Sequence, residues 1–305
     1  MSHPPHSAPA SVHHHDDGQG AGHDHGDHGH EAALTELLDL EGEVLRTYLD
    51  DLTGWIAATA QPPVRRIVDL GSGTGTGTLA LLRRFPGAHV TAVDLDPERL
   101  ARLADRAGQL GLRDQVDVRP ADLDQSWPDL GFADQGADLV WASMSLHHVA
   151  DPDQTLARVF GLLRPGGSLV IAETNPLESF PRFLSGSAGA GAGLEDRIHQ
   201  LLARLLAEQV PEMGTDWTSR LTAAGFTVAA ERVFDVALAA PLPPAAGRYA
   251  QLSLDRLRTA LADQLDPADL NTLALLVADD GPDSLRHRGD LTVRATRLTW
   301  LARRL

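Results

Sequence analysis

The chain has 305 residues, 43% hydrophobic and 22% charged, with a formal net charge of −16, no cysteine and no lysine among its 26 basic residues. That composition suits a globular α/β domain with or without an extra helical lobe. It excludes disulfides, thiolate metal sites, cysteine nucleophiles, Schiff-base chemistry and a Walker lysine.

The acidic balance opposes nucleic acid as a partner. The apolar runs fall short of the ~18–20 residues of a spanning helix, and no basic-then-apolar secretory start is seen. A cytoplasmic protein with a small-molecule partner and no membrane partner is expected. Arginine replacing lysine throughout, with abundant Ala, Gly and Pro, suggests a bacterial genome of high GC content.

Residues 1–30 hold nine of the fourteen histidines and almost nothing apolar to bury, and are expected to form a disordered tail. Its histidines His13, His14, His15, His23, His25, His28 and His30, interleaved with aspartate, make a flexible ligand set for Zn or Ni, without the fixed spacing of a structural zinc site. Residues 31–62 form a helical cap: Leu34, Leu37, Leu38, Leu45, Leu49, Leu52, Trp55 and Ile56 recur at helical spacing. The Pro62-Pro63 pair ends it.

Strands and helices then alternate. "RRIVDL", "AHVTAVDL", "QVDVRP", "ADLVWAS" and "SLVIAE" read as buried strands separated by helices, the last of which is capped by Asp151 and Pro152. This pattern predicts a parallel sheet covered on both faces. "LSGSAGAGAG" reads as a mobile linker and residues 194–224 as helical. A strand follows at "FTVAAERVFDVAL", then a helical insertion at about 245–290, and a closing strand at 291–301. Residues 63–305 would form one domain that contains this helical insertion.

The loop "VDLGSGTGTGT" (68–78) follows a strand and opens a helix, a setting for a nucleotide-like ligand. A dinucleotide loop needs Gly or Ala where this chain has Thr76, and a triphosphate loop needs the absent lysine. Asp94, at the end of the second strand, can accept two ribose hydroxyls without saying whose ribose it is. Asp122, beyond the third strand, can accept from an adenine amino group. All lie at carboxyl ends of neighbouring strands, where open α/β sheets bind ligands.

"VDLGSGTGTGT", "VTAVDLD", "RPADLD", "ADLVWASMSLHHVADP" and "LRPGGSLVIAE" resemble, in order and spacing, the successive motifs of class I S-adenosylmethionine-dependent methyltransferases over about residues 65–175. The resemblance implies a Rossmann-like three-layer sandwich whose seven-stranded, mostly parallel sheet has an antiparallel last strand, flanked by N-terminal and C-terminal helical caps. It implies S-adenosylmethionine as cofactor and S-adenosylhomocysteine as product. Asp69, Gly71, Ser72, Gly73 and Gly75 would sit beside the methionine moiety. Asp94 would take the ribose, with Leu95 under the adenine. Asp122 and Leu123 would hold the base, and Ala142 and Ser143 the methionine end. Arsenite methyltransferases, which depend on cysteines, are set aside. So are DNA methyltransferases, because the place of their aromatic, proline-containing tetrapeptide reads "WASM".

The expected activity is in-line methyl transfer to an O, N or C atom of a small molecule. The alternative is a protein that binds the cofactor without methyl transfer, pericyclase-like or a sensor. His147, His148 and Glu173 are the candidate catalytic residues, with loop anchoring as the competing role for Glu173. Trp217, Tyr249 and the helix around Leu34–Trp55 are candidates for an apolar lid, and the 245–290 helices for either a substrate cap or a homodimer contact.

Overall fold

The computed structural model describes residues 24–125, 127–130, 135–184, 191–210 and 212–305. Its chain order is α1 (Asp24–Val44), α2 (Arg46–Thr59), β1 (Arg66–Leu70), α3 (Thr76–Arg84), β2 (His89–Asp94), α4 (Pro97–Gln109), β3 (Val116–Pro120), β4 (Ala137–Ser143), α5 (Pro152–Leu162), β5 (Leu163–Glu173), α6 (Leu194–Gln209), α7 (Trp217–Ala223), β6 (Thr227–Leu238), α8 (Ala246–Ala260), α9 (Pro267–Val277) and β7 (Val293–Arg303). The helix expected from residue 31 begins at Asp24, inside the segment read as a tail. His13, His14, His15 and His23 lie outside the described residues, as do the side chains of His25, His28 and His30. Among the described residues no group of three or more His, Asp or Glu side chains could hold a metal.

The seven strands form one sheet in the order β3-β2-β1-β4-β5-β7-β6, with β7 antiparallel to both neighbours. This is the Rossmann-like arrangement expected, with the closing strand inserted between β5 and β6. β4 is buried over all but its last residue because helices cover both its faces. β6, at the sheet edge, is largely exposed. Asp96 and Asp151 accept from the first free N–H groups of α4 and α5 (2.8 Å from Glu98 N and 2.9 Å from Gln154 N), and Pro97 and Pro152 follow them at the first helical position.

One boundary differs from expectation. β5 starts at Leu163, not after the "RPGG" stretch, and bulges: Ala137 pairs with Leu163, and Leu139 with Ser168. Gly166 takes φ +77°, and a Cβ on Gly167 would meet the Ala137 carbonyl oxygen at 2.9 Å, so the two glycines let the strand kink and continue.

Two apolar layers cover the sheet. Residues of α2, α3 and α4, such as Ile56, Leu81 and Leu103, pack on one face. Residues of α5 and α7, such as Leu156 and Leu221, pack on the other. A third cluster belongs to the caps: Val44 of α1, Ile198 of α6, Leu254 of α8 and Leu273 of α9 share one core. The N-terminal and C-terminal caps therefore form one lobe, held by side chains far apart in sequence. Trp217, a candidate lid residue, is instead buried with Leu221, Phe226 and Trp300 under the sheet.

Ion pairs fix α1 across the carboxyl ends of the strands. Glu36 pairs with both sides of Arg248 of α8 (2.8 and 2.8 Å), Asp39 with Arg106 of α4 (2.7 Å), and Glu41 with Arg297 of β7 (3.2 Å). At the opposite end of the sheet, Asp138 accepts from Arg65 N (3.0 Å), Arg66 N (2.8 Å) and Arg164 Nε (2.5 Å). Burial works to raise its pKa, but Arg164 and the two amides outweigh that and hold it below the ordinary carboxylate range. Among the described residues no helix is long and apolar enough to cross a membrane.

Candidate active site

A cavity of about 570 Å³ opens at the carboxyl ends of β1, β2, β3 and β4 and is roofed by α1 and α8. That volume lies within the ~300–1,000 Å³ of small-molecule sites. Its wall includes Asp69, Gly71, Ser72, Gly73, Asp94, Leu95, Asp122, Leu123, Ser143, His147 and His148, so most of the residues picked from the sequence meet in one space. Gly75, Ala142 and Glu173 stand outside that wall, each for a packing reason.

Gly75 has φ +86°, and a Cβ there would lie 2.0 Å from Leu103 Cδ1; the glycine serves the contact between the loop and α4. Ala142 is fully buried among Val140 and Leu169. Glu173 is buried one layer behind the cavity. Its Oε1 accepts from Ser145 N (3.2 Å) and Leu146 N (3.0 Å), and its Oε2 lies 2.6 Å from His147 Nδ1.

The glycine loop and the loop after β4 are interlocked. Gly71, at φ +71°, faces Ser145, whose Cβ would lie 2.4 Å from a Cβ at position 71. Ser145 Oγ donates to the Leu70 carbonyl (2.8 Å). Met144, on the cavity wall, takes φ +54°, a left-handed conformation rare for a side chain of its size. The reverse turn it makes carries His147 back toward the glycine loop.

Asp94 is pinned. Its Oδ2 accepts from Gly73 N (2.8 Å) and its Oδ1 from Asp96 N (3.0 Å). Each carboxylate oxygen keeps a lone pair for a further donor. Beside it Leu95 is 69% exposed, an open apolar face at the cavity wall. Ser72 Oγ is buried with no hydrogen-bond partner. A polyhydroxylated ligand with a flat apolar part would satisfy all three: donors for Asp94, a surface for Leu95 and a partner for Ser72.

Asp69 lies at the floor and receives the Thr78 hydroxyl at 2.6 Å. Burial, more than the nearby Asp94 charge, pushes its carboxyl up to about 7, and the Thr78 bond only partly offsets this. Between the unfolded carboxyl range and about 7 the native state holds a proton there that the unfolded chain has lost. At this group stability therefore falls as pH rises through that window and levels off above it. Urea midpoints measured from about pH 4.5 to about 7 should fall less in Asp69→Asn than in the parent, since the asparagine cannot ionise.

With Nδ1 donating to Glu173, His147 keeps its lone pair on Nε2. Glu173 thus holds the loop through two amides and meets the cavity through the His147 ring. His148 is exposed, its ring centroid 4.0 Å from that of His147. Desolvation first, then the neighbouring His147 and Arg256, keep its pKa below the ordinary histidine range.

The far end of the cavity holds residues the sequence reading passed over: Glu41, Tyr48, Ser253, Arg256 and Arg297, beside the expected Tyr249. Two signals were available for them. Tyr249, Ser253 and Arg256 recur at helical spacing on one face of α8. Arg297 stands in the inward register of β7 with Ala295, Thr299 and Leu301, where a charge is out of place.

Residues 68–169 match the family model described as a methyltransferase domain. The chain is 32% identical over 181 residues to trans-aconitate 2-methyltransferase of Variovorax paradoxus, covering 55% of this chain and 65% of that one. It is 35% identical over 132 residues to malonyl-[acyl-carrier protein] O-methyltransferase of Laribacter hongkongensis, covering 41% and 43%. The chain thus spans less than two thirds of the length of these curated relatives. Among solved structures it is similar to one from Bacillus halodurans C-125 described as a methyltransferase, with a TM-score of 0.51, 16% identity, and 83% of this chain and 98% of that one covered. The family model, the relatives, the strand order and the inserted antiparallel strand agree with one another and together support a class I S-adenosylmethionine-dependent methyltransferase.

Proposed function

We propose that the protein is an enzyme that transfers a methyl group from S-adenosylmethionine to a small-molecule acceptor. The observation that carries this reading is one continuous cavity joining Asp94, Leu95 and the unpartnered Ser72 hydroxyl to His147. Asp94 would hold the ribose and Leu95 and Leu123 the adenine. Asp122 would accept from the adenine amino group, and the Gly71–Gly73 backbone with Ser72 and Ser143 would line the methionine end. When bound, the cofactor supplies an electrophilic methyl group on a sulfonium, the carbon–sulfur electron pair leaving with the thioether.

The chain's own contribution is position and proton handling. The interlocked loops after β1 and β4 fix the nucleophile's approach, an effect that can be worth ~7–11 kcal/mol when the reacting atoms are held aligned. His147 Nε2 accepts the acceptor's proton where the nucleophile carries one, and Glu173 stabilises the resulting imidazolium through Nδ1. The α1–α8 roof excludes water.

Calorimetric titration with S-adenosylmethionine, S-adenosylhomocysteine and NAD tests the reading. Binding of the first two and not the third is expected. Binding of NAD alone would make this a dehydrogenase site. Cofactor binding without turnover on any acceptor would leave the pericyclase-like or sensor alternative.

A further inference from the structure

Of the three arginines on the cavity wall, two are paired with carboxylates and the third is not. Arg297 is 3% exposed and is matched by Glu41, with which it shares a 3.2 Å contact. Arg99 is matched by Asp96 (3.0 Å). Arg256 is not matched. Among the described residues it makes no hydrogen bond or ion pair, and its guanidinium carbon lies 5.8 Å from the ring centroid of Phe180, itself on the cavity wall. It shares the cavity-facing side of α8 with Tyr249 and Ser253.

A second unsatisfied group belongs to a residue of the same cavity wall. The Tyr48 hydroxyl is buried without a partner. Burial pushes the phenols of both Tyr48 and Tyr249 well above their ordinary range, so both remain neutral hydrogen-bond donors at physiological pH. Around them the wall is apolar, with Leu34, Leu37, Leu45, Leu206, Val210 and Met213. A neutral acceptor would leave Arg256 without a counter-charge in a partly dried cavity and the Tyr48 hydroxyl without an acceptor. An anion with an apolar body answers both.

Resting on the methyltransferase reading, we infer that the acceptor is a small carboxylic acid with an apolar body, its carboxylate received by Arg256 and the Tyr48 hydroxyl. Its apolar part lies along the inner face of α1 and against α6. Arg256 is then a specificity residue: it distinguishes an acid from its uncharged analogue and does no work on the cofactor.

The test uses the full chain saturated with S-adenosylhomocysteine, titrated calorimetrically with benzoate, hexanoate and octanoate, each against its amide. At least one acid should bind at least tenfold more tightly than its amide. That preference should vanish in Arg256→Gln and survive in part in Arg256→Lys, while S-adenosylhomocysteine affinity stays at the parent value in both. Arg256 has no hydrogen bond or ion pair to lose, only its contact with the Phe180 ring, so the variants should fold, which thermal melts will show. Acids binding no better than amides, or an acid preference untouched by Arg256→Gln, would overturn the inference while leaving the methyltransferase reading intact. Failure of S-adenosylhomocysteine itself to bind would overturn the reading beneath it.

Discussion

Replacing Asp94 by alanine is expected to weaken S-adenosylhomocysteine binding by about 10²–10⁴-fold, the equivalent of two charge-assisted hydrogen bonds at ~1.5–3 kcal/mol each. The carboxylate has little other freedom. One oxygen is already engaged by Gly73 N and the other by Asp96 N, which aims the remaining lone pairs at one place in the cavity. Asp94→Asn keeps one acceptor oxygen and should lose less. Calorimetry on the two variants gives the ordering directly, and parent-like affinity in Asp94→Ala would mean that the ribose is held elsewhere.

The second large effect falls on the proton-handling pair. His147→Ala should lower kcat by about 10²–10⁴-fold for an acceptor that must lose a proton, with cofactor affinity unchanged. Glu173→Gln should do nearly as much damage for a subtler reason. The amide oxygen is needed by Ser145 N and Leu146 N, so the amide nitrogen must face His147 Nδ1. A donor there forces Nδ1 to accept and moves the ring proton to Nε2, and the base is lost by tautomer. Glu173→Ala is a different experiment, since it strands two buried amides and a histidine and should cost stability as well. Steady-state rates with melts run alongside separate the cases. Full kcat in both His147→Ala and Glu173→Gln would mean that the methylated atom arrives with no proton to lose.

The sheet and the cofactor-side residues were legible because their causes are local. β-branched runs between capped helices fix β1, β2 and β4, and Asp94 and Asp122 announce themselves by standing at strand ends. Gly75 shows the limit of such reading. It belongs to the glycine pattern, yet it is glycine because of Leu103, a residue of another helix. Glu173 could be placed at a strand end from sequence, but which way it served depended on the turn through Met144 that brings two amides and His147 to it. That Arg256, Arg297 and Tyr48 line one cavity was not legible, for a broader reason. They come from α8, β7 and α2, and only tertiary packing of the cap lobe brings them together, so no spacing along the chain records their proximity.

The sheet order also dictates a history for the molecule. β6 pairs only with β7, and β7 follows every other strand of the sheet along the chain. Until Val293–Arg303 emerges, β5 and β6 each present an open edge, and β6 has no place in the sheet. A ribosome-bound chain lacking that strand already carries the glycine loop, Asp94 and Asp122, but it lacks Arg297, the counter-charge to Glu41 on the roof. Newly made protein would therefore pass through a stage with half a site and two adhesive strand borders, the form most exposed to aggregation or chaperone capture. Pairing of β7 closes both borders and brings Arg297 to the cavity wall in one step.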